Sequence, residues 1–307
     1  MPKELKDIKK YKKVFDGIKE EISKTVVGQE EVLDGLLRAL VANGHVLLEG
    51  VPGVAKTLII KSLAKTTGCK FSRIQFTVDL LPTDILGLTT YDKGKGFSII
   101  KGPIFANFLM ADEINRASPR TQSALLEAMQ EKQVTIGRDM HKLQMPFLVM
   151  ATQNPIESTG VFNLPEAQID RFLFKLRINY PKPKEEQDIL TQNITTDKFE
   201  NYKLKKIIDQ SKIIKAQEYV KKVFLNKDLE DYIIRLVNST RNSEHFKLGK
   251  YVEYGASPRA SISLYIATKA EAMLNGRSYA TPKDIKKVAH DVLRHRIILN
   301  YEGQAEN

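Results

Sequence analysis

The stretch from Leu47 to Leu58 holds residue types that can bind phosphate. It begins as an apolar run, breaks into a loop with two glycines and a proline, and resumes as a helical pattern at Lys56-Thr57. Backbone N–H groups of such a loop surround a polyphosphate, and the helix that follows adds its N-terminal donors. We expect Lys56 to reach the β- and γ-phosphates and the Thr57 hydroxyl to coordinate Mg²⁺. The residues predicted to bind nucleotide here are Gly50, Val51, Pro52, Gly53, Val54, Ala55, Lys56, Thr57 and Leu58.

One position departs from the usual phosphate-loop pattern. The pattern G-x-x-x-x-G-K-[ST] has glycine directly before the lysine, and this chain has Ala55. Alanine does not favour the positive φ that glycine permits. The stretch alone therefore leaves a second interpretation open, an ordinary glycine-rich turn between a strand and a helix.

Two adjacent acids supply further chemistry. Asp112 and Glu113 directly follow an apolar run that is typical of a buried strand. The first acid of such a pair can hold Mg²⁺, and the second can activate a water for attack on the γ-phosphate. The alternative is a pair of surface carboxylates that cap the next helix. The position of the pair, downstream of a Lys-Thr loop, favours the catalytic interpretation.

Three more polar residues are candidates for catalysis. Asn154 follows another apolar strand and can orient the attacking water, although asparagine before Pro155 is also a common turn. Arg171 precedes a short strand, and Arg259 lies near the start of a predicted helix. The planar fork of arginine matches phosphate oxygens, so either residue can stabilise charge on a transferred phosphoryl group. Isolated arginines are also ordinary surface residues.

The elements around these residues predict an α/β fold. Apolar strands alternate with helices from Val46 to Leu176, which is typical of a parallel sheet covered by helices on both faces. Ligands of such sheets bind at the carboxyl ends of the strands, where Gly50, Asp112 and Asn154 are all expected. We predict a nucleotide-binding domain over 1–180, interrupted by excursions at about 80–104 and 133–146. A smaller all-α domain is predicted over 181–307, after the linker Pro181-Lys182-Pro183, with helices near 184–193, 204–222, 227–242, 258–275 and 282–298.

The composition of the 307 residues argues against several function classes. No apolar run approaches the roughly 18 residues of a membrane span, and the first residues lack the apolar core of a signal peptide. The single cysteine, Cys69, allows no intrachain disulfide, and we expect a cytoplasmic protein in which it only packs. The five histidines show no metal-ligand spacing. The net charge of +11 is compatible with nucleic acid, but the lysines are interleaved with acids as on solvated helix faces.

Taken together, the motifs resemble those of AAA+ ATPases, and most closely the MoxR family, whose phosphate loops also have alanine before the lysine. The segments that carry the resemblance are 26–30, 49–57, 112–117, 122–129, 151–155, 164–172 and 255–259.

The resemblance implies roles for individual residues. Lys56 and Thr57 correspond to Walker A, and Asp112 and Glu113 to Walker B. Asn154 corresponds to sensor 1 and Arg259 to sensor 2, which acts on the nucleotide of its own subunit. Arg171 resembles the arginine finger that reaches a neighbouring subunit, with Arg116 and Arg120 as alternatives. Val27 and Gly28 would flank the adenine, and ATP and Mg²⁺ would be bound.

Family membership also implies partners. A finger that acts between subunits requires a ring, usually a hexamer, and the two excursions would face its pore. MoxR-type proteins resemble chaperones that remodel, assemble or activate client proteins, often with a partner that has a von Willebrand factor A domain. Two alternatives stay open at this point: a DNA-associated motor, and a non-catalytic ATP-binding switch.

Overall fold

The computed structural model describes residues 3–51, 53–94, 96–153, 160–192, 199–242, 246–247 and 249–306. The strands are β1 (Val46–Gly50), β2 (Phe71–Gln75), β3 (Gly87–Asp92), β4 (Gly96–Lys101), β5 (Phe108–Asp112), β6 (Gln133–Ile136), β7 (Asp139–Lys142), β8 (Leu148–Gln153), β9 (Phe174–Ile178), β10 (Val252–Tyr254) and β11 (Ile298–Leu299). The helices are α1 (Lys3–Ile22), α2 (Glu30–Ala42), α3 (Lys56–Thr67), α4 (Pro82–Leu86), α5 (Pro119–Glu131), α6 (Glu166–Ile169), α7 (Pro183–Gln192), α8 (Gln210–Lys222), α9 (Lys227–Arg241), α10 (Pro258–Leu274), α11 (Pro282–Leu293) and α12 (Tyr301–Glu306).

A five-stranded parallel sheet forms the centre of the chain, in the order β2-β5-β8-β1-β9. Its central strands β5, β8 and β1 are the apolar runs that the sequence predicts to be buried. Because all five strands run the same way, the ends of β1, β5 and β8 lie at one edge of the sheet. This arrangement confirms the predicted α/β fold class.

Alternate residues of each strand enter different hydrophobic layers. Val46 and Leu48 of β1 pack into the layer that contains α1, α2 and α3, whereas Leu47 packs into the layer that contains α5 and the excursions. All three side chains are fully buried. Each buried leucine or valine contributes about 1.5–3 kcal/mol, so both faces of β1 hold its register against β8 and β9.

The C-terminal helices α8–α11 share a hydrophobic layer with α2, against which α10 packs. The sequence analysis missed one feature of this part, a two-stranded ribbon in which β10 pairs antiparallel with β11. Strands of three and two residues are too short to show alternation. The helix predicted from residue 204 begins at Gln210, because the Asp209 carboxylate accepts the N–H of Lys212 at 3.0 Å and caps the first turn. The domain boundary at residue 180 stays a prediction.

Both excursions contain antiparallel hairpins, as predicted. β3 pairs with β4 within 80–104, and β6 pairs with β7 within 133–146. The tips carry exposed apolar side chains, among them Tyr91, Phe97 and Met140, and the rings of Tyr91 and Phe97 lie 5.1 Å apart. Phe97 is 79% exposed, so its ring and that of Tyr91 form an apolar pair on the surface of this hairpin.

Cys69 is buried at the end of the α3 layer, and burial raises the pKa of its thiol to about 11. The thiol therefore stays protonated at neutral pH, which agrees with a packing role. In the described parts of the chain, no helix combines the length and apolarity that crossing a bilayer requires.

The buried His45 makes the fold sensitive to acid. Its Nδ1 accepts the N–H of Val149 at 3.0 Å, and its Nε2 donates to the carbonyl of Met129 at 3.0 Å. Burial, reinforced by nearby Lys132, lowers the pKa of His45 well below its ordinary value. Below about pH 6.5 the unfolded chain binds a proton that the folded chain does not, so the free energy of unfolding falls as the pH falls.

We therefore expect urea unfolding to show a loss of stability between pH 7.5 and 5.5 that is smaller in His45→Gln. The exposed His290 provides the control, because His290→Gln should retain the full pH dependence. An identical pH dependence in wild type and His45→Gln would contradict a neutral, buried His45.

Candidate functional site

The predicted phosphate loop connects β1 to α3, as the sequence indicates. Lys56 is the first residue of α3, and Gly68 ends the helix in the left-handed region, so the N-terminal donors of a 12-residue helix face the loop. At Gly50 an added Cβ would lie 2.6 Å from the carbonyl oxygen of Ile178, so glycine is required there for the approach of β9. Gly53 has φ +84° with open space around it, which leaves its backbone accessible. Pro52 lies outside the described residues.

Ala55 adopts the conformation that the sequence analysis considered unfavourable for it. Its φ is +59°, in the left-handed region, immediately before α3. Glu113 and Gln29, two other non-glycine residues in this region, lie on the predicted catalytic and adenine segments. Asn43, Lys132 and Lys203 also have positive φ but lie outside the predicted site segments, so strain at Ala55 points to a functional site only together with the residues around the loop.

Ala55→Gly should relieve this strain. Replacing alanine by glycine stabilises the folded state by about 1 kcal/mol, because glycine adopts the left-handed conformation without strain. The same replacement destabilises the folded state by a similar or smaller amount, because glycine raises the conformational entropy of the unfolded chain. We expect a free energy of unfolding between unchanged and about 1 kcal/mol higher, measured by urea denaturation. Ala289→Gly, within α11, is the control and should lose about 1 kcal/mol. An equal loss in Ala55→Gly would contradict the left-handed conformation.

Lys56 lies half-buried in a cavity of about 480 Å³ next to the loop. Its Nζ donates to the carbonyl oxygen of Gly50. Burial lowers the pKa of Lys56, and the nearby carboxylates of Asp112 and Glu113 oppose the shift. Thr57 lines the same cavity. Among the described residues, a backbone carbonyl is the hydrogen-bond acceptor of this partly desolvated cation, and such a cation favours an anion as ligand.

The two predicted acids lie across this cavity and are held by hydrogen bonds. Oδ1 of Asp112 accepts the Thr152 hydroxyl at 2.6 Å, and the Thr152 hydroxyl accepts the N–H of Glu113 at 2.8 Å. Oε2 of Glu113 accepts Nε2 of Gln75 at 2.6 Å and lies 3.0 Å from Nε of Arg116. The carboxylate and hydroxyl oxygens of Asp112 and Thr57 are the donor types that Mg²⁺ prefers, so the donor set fits this ion.

Three polar residues of this cavity were not predicted from the sequence: Arg73, Gln75 and Thr152. Arg73 donates to Oδ2 of Asp112 from Nη2 at 2.5 Å and from Nε at 3.1 Å. Arg73 and Gln75 alternate on one face of β2, beside β5. That alternation was the available signal, but the order of the strands was needed to place both residues beside the acids.

The predicted adenine segment lines a second cavity, of about 580 Å³. Val27 and Gly28 lie in its wall together with apolar side chains and the acids Glu185 and Asp188. Ile59 lies in the same wall, one turn along α3 from Lys56, so the cavity adjoins the phosphate loop. Charged residues also line this cavity, but its apolar wall at Val26, Leu33 and Ile59 offers a planar base a surface beside the phosphate loop. Asn154, the predicted sensor 1, lies outside the described residues.

Arg171 and Arg259 lie at the other edge of the sheet. They line a cavity of about 400 Å³ with His45, which directly precedes β1, whereas the phosphate loop directly follows β1. Nη1 of Arg259 is 3.6 Å from Asp170, and Nε of Arg171 is buried without a hydrogen-bond partner among the described residues. A five-residue strand spans about 15 Å. Arg259 thus lies at the edge of the sheet opposite the phosphate loop, and its predicted action on its own subunit's nucleotide stays a prediction.

The other two arginines proposed as fingers have different surroundings. Arg116 is paired with Glu113 of its own cavity, whereas Arg120 is exposed at the start of α5. Arg171 is thus the one of the three that combines a buried, unsatisfied nitrogen with the amino edge of the sheet.

A parallel sheet with a phosphate loop after β1, two acids at the end of β5 and an appended helical unit define an ATPase of the AAA+ class. The profile of the ATPase family associated with various cellular activities (AAA) matches residues 45–174, and that of the AAA lid domain matches residues 248–307.

Individual relatives narrow the class. Chaperone MoxR1 of Mycobacterium tuberculosis is 47% identical over 290 residues, which cover 93% of this chain and 76% of that protein. Protein MoxR of Methylorubrum extorquens is 29% identical over 298 residues, covering 91% and 86%. The crystal structure of a candidate ATPase from Cytophaga hutchinsonii matches with a TM-score of 0.91 and 46% identity, covering 98% of this chain and 92% of that one. The chain belongs to the MoxR family of AAA+ ATPases, which confirms the predicted resemblance.

Proposed function

We propose that the chain hydrolyses ATP to ADP and phosphate at the cavity between the phosphate loop and the two acids. The observation that carries this proposal is the meeting of Lys56, Thr57, Asp112 and Glu113 around one cavity, beside a second cavity that fits the base. The loop backbone and Lys56 hold the β- and γ-phosphates, and the walls at Val27 and Gly28 hold the adenine. Glu113 takes a proton from the attacking water, which Asn154 orients.

Thr57 and Asp112 would hold Mg²⁺, which supplies positive charge against the phosphate oxygens when it is bound. Arg171 and Arg259 stabilise the charge that develops on the γ-phosphate of a neighbouring subunit. Their position remote from their own subunit's phosphate loop supports this role, because a head-to-tail ring joins two different faces of the subunit, so residues of one face can reach a site on the neighbour's other face. We propose a ring, in the usual form a hexamer.

We propose that the energy of ATP hydrolysis is used to remodel, assemble or activate client proteins. The family membership and the name of the Mycobacterium tuberculosis relative support a chaperone role. The exposed Tyr91, Phe97 and Met140 provide an apolar surface for clients. A partner with a von Willebrand factor A domain is part of this proposal and is supported by the family resemblance. A cytoplasmic location is proposed from the single cysteine.

The proposal is tested with Lys56→Ala and the control Lys61→Ala, whose exposed lysine lies on the same helix. We expect Lys56→Ala to lose binding of a fluorescent ATP analogue and to release no phosphate, and Lys61→Ala to behave as wild type. Phosphate release by Lys56→Ala at the wild-type rate would contradict the assigned site.

The client class is tested by adding an unfolded protein, or single- or double-stranded DNA over a salt series, to the wild-type ATPase. We expect stimulation by the protein alone. Strong, salt-sensitive stimulation by DNA would instead indicate a nucleic-acid motor.

A further inference from the structure

We propose that Arg73 takes the place of the magnesium ion at Asp112 while the site is free of nucleotide, and releases this carboxylate when metal and ATP bind. The inference rests on the proposed function, because it concerns the same cavity.

The first argument is the occupancy of the Asp112 carboxylate. Its Oδ1 is taken by the Thr152 hydroxyl at 2.6 Å, so Oδ2 is the oxygen left for a metal. Two donors of Arg73, Nη2 at 2.5 Å and Nε at 3.1 Å, cover that oxygen. A divalent cation and a guanidinium repel each other, so they compete for one carboxylate oxygen. Metal binding at Asp112 therefore requires Arg73 to leave.

The charge of the cavity also favours a cation beside Asp112. Asp112 and Glu113 face Lys56, whose Nζ is turned to the carbonyl of Gly50. Two carboxylates in a partly desolvated cavity would repel an incoming triphosphate. Arg73 offsets the charge of Asp112 before any metal is present. Arginine suits this task because it is permanently charged, and with 46% of its side chain exposed it has space to move aside.

The third argument is the link from Arg73 to the proposed base. Nη2 of Arg73 also donates to Oε1 of Gln75 at 2.8 Å, and Nε2 of Gln75 donates to Oε2 of Glu113 at 2.6 Å. When Arg73 leaves Asp112, Gln75 loses the donor that orients its amide. The hold of Gln75 on Glu113 then weakens, so metal binding at Asp112 and release of the base are coupled.

The direct test measures Mn²⁺ binding to the nucleotide-free protein by electron paramagnetic resonance, with Mn²⁺ as the probe for Mg²⁺. Arg73→Gln removes the competing charge and should bind Mn²⁺ at least about fivefold more tightly than wild type, since Arg73 holds Oδ2 of Asp112 with two charge-assisted hydrogen bonds. Arg73→Lys keeps the positive charge but loses the planar guanidinium fork. Its Mn²⁺ affinity should lie between those of wild type and Arg73→Gln. Arg177→Gln is the matched control, because Arg177 is also a strand arginine paired with a carboxylate, Glu49, but outside this cavity.

The second measurement is the binding of a fluorescent ATP analogue in EDTA. Without metal, Arg73→Gln should bind the analogue at least about fivefold more weakly than wild type, because the negative charge of Asp112 is no longer offset by Arg73 and repels the phosphates. Adding Mg²⁺ should remove most of this difference.

Equal Mn²⁺ affinity in wild type and Arg73→Gln would overturn the proposal. It would show that the ion pair of Arg73 with Asp112 only stabilises the fold. This measurement needs no nucleotide, so it tests Arg73 independently of the proposed function. Failure of the wild-type protein to bind the analogue in Mg²⁺ would count against the proposed function instead.

Discussion

Glu113→Gln is expected to bind ATP as wild type does and to hydrolyse it at least about a hundredfold more slowly. Glutamine has nearly the same shape as glutamate but cannot take the proton of the attacking water. Lys56 and Thr57, the proposed phosphate and magnesium ligands, lie on a different element, α3, and are not changed. Phosphate release in a single turnover measures the chemical step, and equilibrium titration of a fluorescent analogue measures binding.

Glu127→Gln, at an exposed position of α5, is the control for a lost carboxylate and should retain full activity. Undiminished hydrolysis by Glu113→Gln would place the base elsewhere. Background hydrolysis by the wild-type protein itself would favour a non-catalytic ATP switch.

Arg171→Ala is expected to retain nucleotide binding and to lose hydrolysis by at least about a hundredfold, since arginine fingers contribute about 10³–10⁵ to phosphoryl transfer. We expect the loss to arise at the neighbour's site, because Arg171 lies at the amino edge of its own sheet and its buried Nε has no hydrogen-bond partner among the described residues. Steady-state phosphate release measures the loss, and size-exclusion chromatography with ATP shows whether the ring still assembles.

The comparison with Arg120→Ala and Arg177→Ala identifies the finger. Arg177 is exposed on β9, so Arg177→Ala should hydrolyse ATP as wild type does. A larger loss in Arg120→Ala than in Arg171→Ala would assign the finger to Arg120.

The residues at the carboxyl edge of the sheet could be predicted from the sequence, because each of them lies in a short segment whose own residues specify its structure. An apolar run followed by a glycine loop and Lys56 specifies a strand, a turn and a helix. Asp112 and Glu113 follow a second apolar run of the same kind. Parallel strands then bring these ends together without further knowledge of the fold.

The residues that support the acids could not be predicted in the same way. Thr152, Gln75 and Arg73 act through hydrogen bonds to Asp112 and Glu113 that span 38–40 residues of sequence. These bonds depend on β5 lying between β2 and β8, which no single segment specifies.

The location of Arg259 depends on how the C-terminal helices dock. The buried Arg296 donates from Nε to Oδ1 of Asp170 at 2.7 Å, and the Ser257 hydroxyl donates to Oδ2 at 2.8 Å. These bonds fix the start of α10 beside Arg171 at the amino edge. Both contacts cross more than 80 residues of sequence, so the periodicity of α10 gave no indication of them.

The claim that each ATP site is shared by two subunits is tested most directly by mixing two inactive variants. Lys56→Ala lacks a working phosphate loop but keeps Arg171, and Arg171→Ala has the opposite defect. In an equal mixture under conditions of subunit exchange, hydrolysis should return to as much as about a quarter of the wild-type rate, because one in about four interfaces pairs an intact loop with an intact finger. A mixture no more active than either variant alone, in rings shown to contain both, would contradict the shared site.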